Sequence, residues 1–328
     1  MKIKNIFAFI LLCFCMSSVH AVETQPKEFA EAVEILHTYG GNGSQIQDAI
    51  DIANKLADSH PNKGYEQTIY AEIYSTFKLS QSGKPVELRN YIIDITSEAI
   101  KLNPKLAQAY VARARTYLRS HELEKARLDV DKALELDPTL SGAAFIKADF
   151  YRKTHQIEDA VKWYKNFIEL ADSTKRKANG YYWIARTYQV IRYHDNKANK
   201  HNIERTSKYY RKSLELSPNN PWGNVDYAIF LNGYGEDYIA AEQYAKKALD
   251  LMNFKMARYH LAIARYLQLL KDIDKPNFAL KAEEVYKSTS LSPKEIIKFL
   301  GGKNSISRKM NKISEALEAM NHSKAEAP

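Results

Sequence analysis

Apolar residues recur at every third or fourth position through most of this chain, in runs long enough for amphipathic helices and separated by short polar stretches. The pattern is clearest from Asn103 to Pro138. Two such runs flank a polar turn at Ser120 and His121, and Pro104 and Pro138 stand 34 residues apart. That layout predicts a helix hairpin. Tyr110, Ala114 and Tyr117 punctuate its first helix, and Ala126, Val130 and Ala133 its second. Alanine at a helix crossing lets two backbones approach closely, while tyrosine and leucine one turn away fill the space beside it. One hairpin cannot bury its own apolar face, so further copies are expected to stack on it.

Copies are predicted on both sides. Phe29 to Tyr39 and Gln45 to Ser59 form a degenerate first hairpin, with Gly40, Gly41 and Gly43 ending one helix and Ser44 capping the next. The second starts near Gly64, places Ala71 and Tyr74 in its first helix, and uses Arg89 to Leu102 as its second. A fourth runs from Ser141 to about Asp172, with Ala148, Tyr151, Ala160, Tyr164 and Phe167 in register. The fifth, ending at Pro218, carries Tyr181, Ala185, Tyr188, Thr206, Tyr210 and Ser213; the sixth, Pro221 to Leu251, has Gly233 and Gly235 at its turn. In the seventh, helices Phe254 to Leu270 and Phe278 to Ser288 flank a turn at Asp272 to Asn277, and either Ile263 or Ala264 takes the close-packed position. Pro293 to Leu300 and Ile306 to Met320 are expected to cap the array, with a frayed tail after them.

Spacing singles out two hairpins. From Tyr117 to Pro138 is 21 residues, whereas Tyr74 to Pro104 and Tyr188 to Pro218 are both 30. Nine residues are thus added between the paired helices, at KLSQSGKPVE and IRYHDNKANKHNIE. Insertions at one point of stacked hairpins emerge on one edge, which makes that edge a candidate accessory surface.

These offsets resemble the tetratricopeptide (TPR) repeat, whose pattern has an aromatic, a small residue and tyrosine in one helix, then alanine, a large apolar residue, alanine and a closing proline. The resemblance implies an all-α fold, a right-handed α-α superhelix of about six to seven hairpins. Repeats would cover roughly 29–61, 64–104, 107–138, 141–172, 178–218, 221–252 and 254–292, with capping helices at 293–320 and a disordered tail at 321–328. It also implies that first helices line a concave groove and second helices the outer face. On that basis Tyr65, Thr68, Glu72 and Ser75, then Gln108, Val111, Arg115, Leu118 and Arg119, face the groove. Phe145, Asp149, Arg152 and Lys153 follow, then Asn179, Tyr182, Arg186 and Gln189, and last Trp222, Val225, Ile229 and Asn232.

Composition places this array in a compartment. Lys2 and Lys4, an apolar run from Ile6 to Met16 and small residues before Val22 read as a secretory signal over residues 1–21. The run is too short to span a bilayer, which needs roughly 20 residues. Both cysteines, Cys13 and Cys15, fall inside it, so a chain cleaved there has none and depends on no disulfide. Cleavage leaves 46 basic against 39 acidic residues and lowers the net charge from +9 to +7. An exported, mildly basic protein of this kind points to acidic partners or anionic surfaces and away from nucleic acid. The expected location is the periplasm or a comparable exported site, with no membrane span in the cleaved chain.

Catalytic motifs are missing from the sequence. The nine histidines form no HExxH or paired arrangement with a helical acid, and there is no GxSxG or phosphate-binding glycine loop. His194, Asp195 and His201 come nearest to a cluster, in a predicted loop rich in asparagine and lysine. A noncatalytic adaptor or scaffold without cofactor is therefore expected, binding another protein or a peptide in its groove; homodimerisation stays open. Arg115, Arg119, Phe145, Arg152, Lys153, Tyr182, Arg186 and Trp222 are the candidate contact residues, because guanidinium groups on rigid helices engage carboxylates in pairs of hydrogen bonds and neighbouring rings add contact area. The competing expectation for these arginines is pairing with Asp149 and nearby glutamates. Two other roles fit the same pattern: a structural or assembly factor for the cell envelope or secretion machinery that uses the edge loops, and an immunity or inhibitor-type partner of a secreted enzyme.

Overall fold

The alternation of amphipathic runs and polar turns becomes sixteen helices among the described residues, and no strand. The computed structural model describes residues 25–37, 43–75, 85–194, 200–302 and 304–325. The predicted signal, residues 1–21, lies outside them. In order the helices are α1 (Lys27–His37), α2 (Gly43–Ser59), α3 (Tyr65–Ile73), α4 (Pro85–Leu102), α5 (Ala107–Arg119), α6 (Leu123–Leu136), α7 (Ser141–Lys153) and α8 (Ile157–Leu170). Then follow α9 (Thr174–His194), α10 (Lys200–Leu216), α11 (Pro221–Phe230), α12 (Tyr238–Leu251), α13 (Lys255–Gln268), α14 (Phe278–Thr289), α15 (Pro293–Leu300) and α16 (Ser305–Ala325). Successive helices pack in antiparallel pairs, and the fold class is an all-α helix-hairpin solenoid. Two compact units divide between Leu136 and Asp137. Among the described residues no helix is long and apolar enough to cross a membrane.

The first unit, α1 to α6, is held by small residues at crossings. Ala32, Ala49, Ala53, Ala99 and Ala109 are fully buried beside Phe29, Leu56 and Ile69. Gly64 precedes α3 with φ of 73°, and a Cβ there would stand 2.7 Å from the Ala99 carbonyl oxygen. Both the left-handed backbone and the close approach require glycine at this position. Arg113 fastens three helices, donating to both Asp129 carboxylate oxygens at 2.8 Å and to Ser97 Oγ at 3.1 Å.

The turn inside the third hairpin recurs in the fourth. At Ser120 and His121 the chain reverses with His121 at φ 61°, and the Glu122 amide donates to the Tyr117 carbonyl at 2.9 Å. Thirty-four residues later His155 has φ 59°, and the Gln156 amide donates to the Tyr151 carbonyl at 2.9 Å. The sequence period is thus a period of backbone conformation.

In the second unit, α7 to α16, the predicted turn enlargement, Ile191 to Glu204, is helical at both ends: α9 continues to His194 and α10 begins at Lys200, while 195–199 lie outside the described residues. His194 ends one helix, His201 lies inside the next, and Asp195 is outside the described residues. In the other long hairpin α4 starts at Pro85, ahead of the expected Arg89, because proline fits the first turn of a helix. Ser44, expected as a cap, lies within the first turn of α2. Gly233 and Gly235 belong to a π-helical turn, Leu231–Gly235, and the chain reverses at Glu236, φ 51°.

Capping helices close the second unit. Ser292 and Glu295 bond reciprocally, the Ser292 amide to Glu295 Oε2 at 2.7 Å and the Glu295 amide to Ser292 Oγ at 3.3 Å, with Pro293 at the first helical position. Ile296, Ile306, Met310 and Ile313 are buried against Ile263, Leu267, Phe278 and Ala282. Ile263 and Ala264 are both fully buried, so the seventh hairpin uses both. Helix α16 runs to Ala325, past the expected end at Met320.

Candidate functional site

A helix packed between two neighbours keeps only a narrow stripe for solvent. Many first-helix positions expected to face a groove are consequently buried: Tyr65, Thr68, Glu72, Ser75, Val111, Leu118, Gln189, Val225 and Asn232. What remains accessible differs between the two units.

In the first unit Arg115 pairs with the buried carboxylate of Glu72, joining α5 to α3. Arg119 is exposed and donates to the Ser75 carbonyl oxygen at the end of the preceding first helix. Both guanidinium groups are engaged in holding one hairpin to the next.

The second unit carries a denser arrangement on α7, α9 and α11. Phe145 is half-buried, with ring centroids 5.6 Å from Tyr164, 5.1 Å from Phe167 and 6.3 Å from Trp183. Two turns on, Arg152 Nε donates to Asp149 Oδ1 at 2.8 Å, and its guanidinium lies 4.9 Å from the Trp183 ring centre. Burial opposes the charge of Arg152, but the Asp149 carboxylate and the Tyr164 hydroxyl together outweigh it and keep the pKa above its ordinary value. Lys153 stands half-buried at the end of α7.

The next two first helices share a carboxylate. Tyr182 donates its hydroxyl to Asp226 Oδ2 at 2.5 Å, and Arg186 Nη1 donates to the same oxygen at 2.6 Å. Burial and then Asp226 raise the Tyr182 hydroxyl well above its usual range, so it stays a donor. Asp226 is mostly covered, while Arg186 remains 42% exposed. Trp222, one turn before Asp226, is 57% exposed with its ring 5.1 Å from Phe254.

The structure thus brings Phe145, Arg152, Tyr182 and Arg186 into one partly open array of rings and bonded charges, places Trp222 at one end of it, and puts Arg115 and Arg119 in the other unit. Trp183 and Asp226 were missed from sequence. Trp183 is adjacent to Tyr182 in the chain but takes part through Arg152, and Asp226 lies 44 residues after Tyr182, one residue past the matching place, Val225, of the next hairpin. Among the described residues no three His, Cys, Asp or Glu side chains gather where they could hold a metal ion.

Solved structures share this architecture. The fold is that of a tetratricopeptide-type solenoid. Human IFIT1, solved as a dimer with PPP-AAAA, is similar with a TM-score of 0.57 at 13% identity, over 95% of this chain and 77% of that one. Cut9 with Hcn1, an APC/C hetero-tetramer, gives 0.54 at 17% identity over 93% of this chain, which spans 57% of that one. YrrB, a TPR protein with an unusual peptide-binding site, gives 0.42 at 15% identity, over 58% of this chain and 91% of that one. No protein-family model and no curated protein sequence matches the chain. At these identities the likeness is one of fold.

Proposed function

We propose that this chain is a noncatalytic adaptor that receives a segment of another protein along the first-helix face of its second unit. The supporting observation is the array on α7, α9 and α11, where Arg152 lies over Trp183 and Arg186 shares Asp226 with Tyr182. Rings and guanidinium groups held in place by neighbours lose little conformational entropy on binding and are the side chains that dominate protein interfaces. Because Asp149 and Asp226 already accept from the two arginines, the array offers aromatic area and oriented donors in place of a bare positive stripe. The adaptor is read as exported, periplasmic or equivalent, on the residue 1–21 pattern.

The test is affinity purification of the full chain from envelope extracts beside a Trp183→Ala, Arg186→Ala double variant. Partners recovered with the natural chain are expected to be lost with the variant at unchanged circular dichroism. Retention of every partner would exclude this face.

A further inference from the structure

At the end of the array the apolar surface and the charge pattern both change. Trp222 opens α11 and rests on Phe254, which precedes α13 and is itself held against Val225, Ala248 and Ala257. Leu251 at the end of α12, Met252 after it and Met256 in the first turn of α13 are exposed large apolar residues. Burying such a group of side chains is favourable, and its exposure marks an interaction surface.

Cations border this surface without compensation. Arg258 is exposed in the first turn of α13, where its amide donates to the Phe254 carbonyl oxygen at 3.4 Å. Lys255 is exposed in the first turn, its ammonium 5.4 Å from the Tyr259 ring centre. Neither has a carboxylate partner among the described residues, in contrast to Arg152 and Arg186. A partner placed on Trp222 would complete Arg258 and Lys255 if it carried a carboxylate beside its apolar side chain.

We infer that Trp222, Phe254, Lys255 and Arg258 form an anchor site for a protein segment in which an aromatic or large aliphatic residue is followed closely by aspartate or glutamate. The site extends the first-helix face of the second unit and rests on the reading that this face receives the partner. The apolar side chain takes the Trp222 and Phe254 rings, and the carboxylate takes the guanidinium of Arg258.

Selection of a library of short random peptides, displayed between glycine-serine flanks, on the full-length chain tests this. Enriched peptides are expected to share an apolar residue with a nearby acid, and to bind Trp222→Ala and Arg258→Glu about tenfold or more weakly. Both positions are exposed, and unchanged melting of the variants separates lost contact from lost fold. Peptides that bind Trp222→Ala and Arg258→Glu normally but fail on Trp183→Ala would overturn the anchor and leave the face. Peptides indifferent to all three variants, or no enrichment at all, would overturn both.

Discussion

A buried charge survives only beside its opposite, and this governs the individual residues. Glu72 is nearly inaccessible and Arg115 covers it, so Arg115→Ala strands a carboxylate in the packed interior of the first unit. We expect a loss of about 3–5 kcal/mol in denaturant unfolding, and a smaller loss when Glu72→Leu is added, because the stranded charge is then gone. A single variant as stable as the natural chain would contradict this pairing. His260 shows the converse: it is buried without an acid, and burial lowers its pKa from 6.5 to about 4. The unfolded chain takes up this proton near 6.5 and the native chain only near 4. Stability is therefore complete above 6.5 and declines as pH falls through that interval, by about 3 kcal/mol at most. Asn232 donates to the His260 backbone carbonyl at 3.0 Å, a bond that His260→Leu keeps. Between about pH 7 and pH 4.5 the melting temperature of His260→Leu should fall less than that of the natural chain; equal falls would show that His260 contributes nothing. The residue types at these sites were legible in the sequence. Their partners were not, because Glu72 and Arg115 lie 43 residues apart and only the stacking register joins them.

Elements were read more securely, because helix periodicity is local and repeated. The hairpin at 107–138 emerged as two helices with alanines at the crossing, and the same offsets located the fourth hairpin. Helix ends were less legible: α9 runs to His194 and α4 starts at Pro85, because no proline or glycine stops the first and a proline fits the first turn of the second. His121 falls in the predicted turn, but its left-handed backbone, and that of His155, is not legible, since histidine adopts that conformation only occasionally. That conformation favours glycine, so His121→Gly should stabilise the chain by up to about 1 kcal/mol, read from the denaturant midpoint. Destabilisation would mean that the imidazole makes a contact worth more than the backbone strain it tolerates.

At the scale of the whole molecule, two compact units carry first-helix surfaces of different character. In the first, Arg115 and Arg119 bind hairpins together. In the second, rings and bonded charges lie half-open on α7, α9 and α11, and the central claim concerns that face. Residue-level photocrosslinking tests it most directly, with benzoylphenylalanine placed at Lys153 or Asn179 on first helices and at Lys162 or Lys208 on second helices of the same unit. Adducts to a protein partner from 153 and 179, with none from 162 and 208, are the result predicted here. Adducts from 162 and 208 alone would contradict the account and move the binding surface to the second helices.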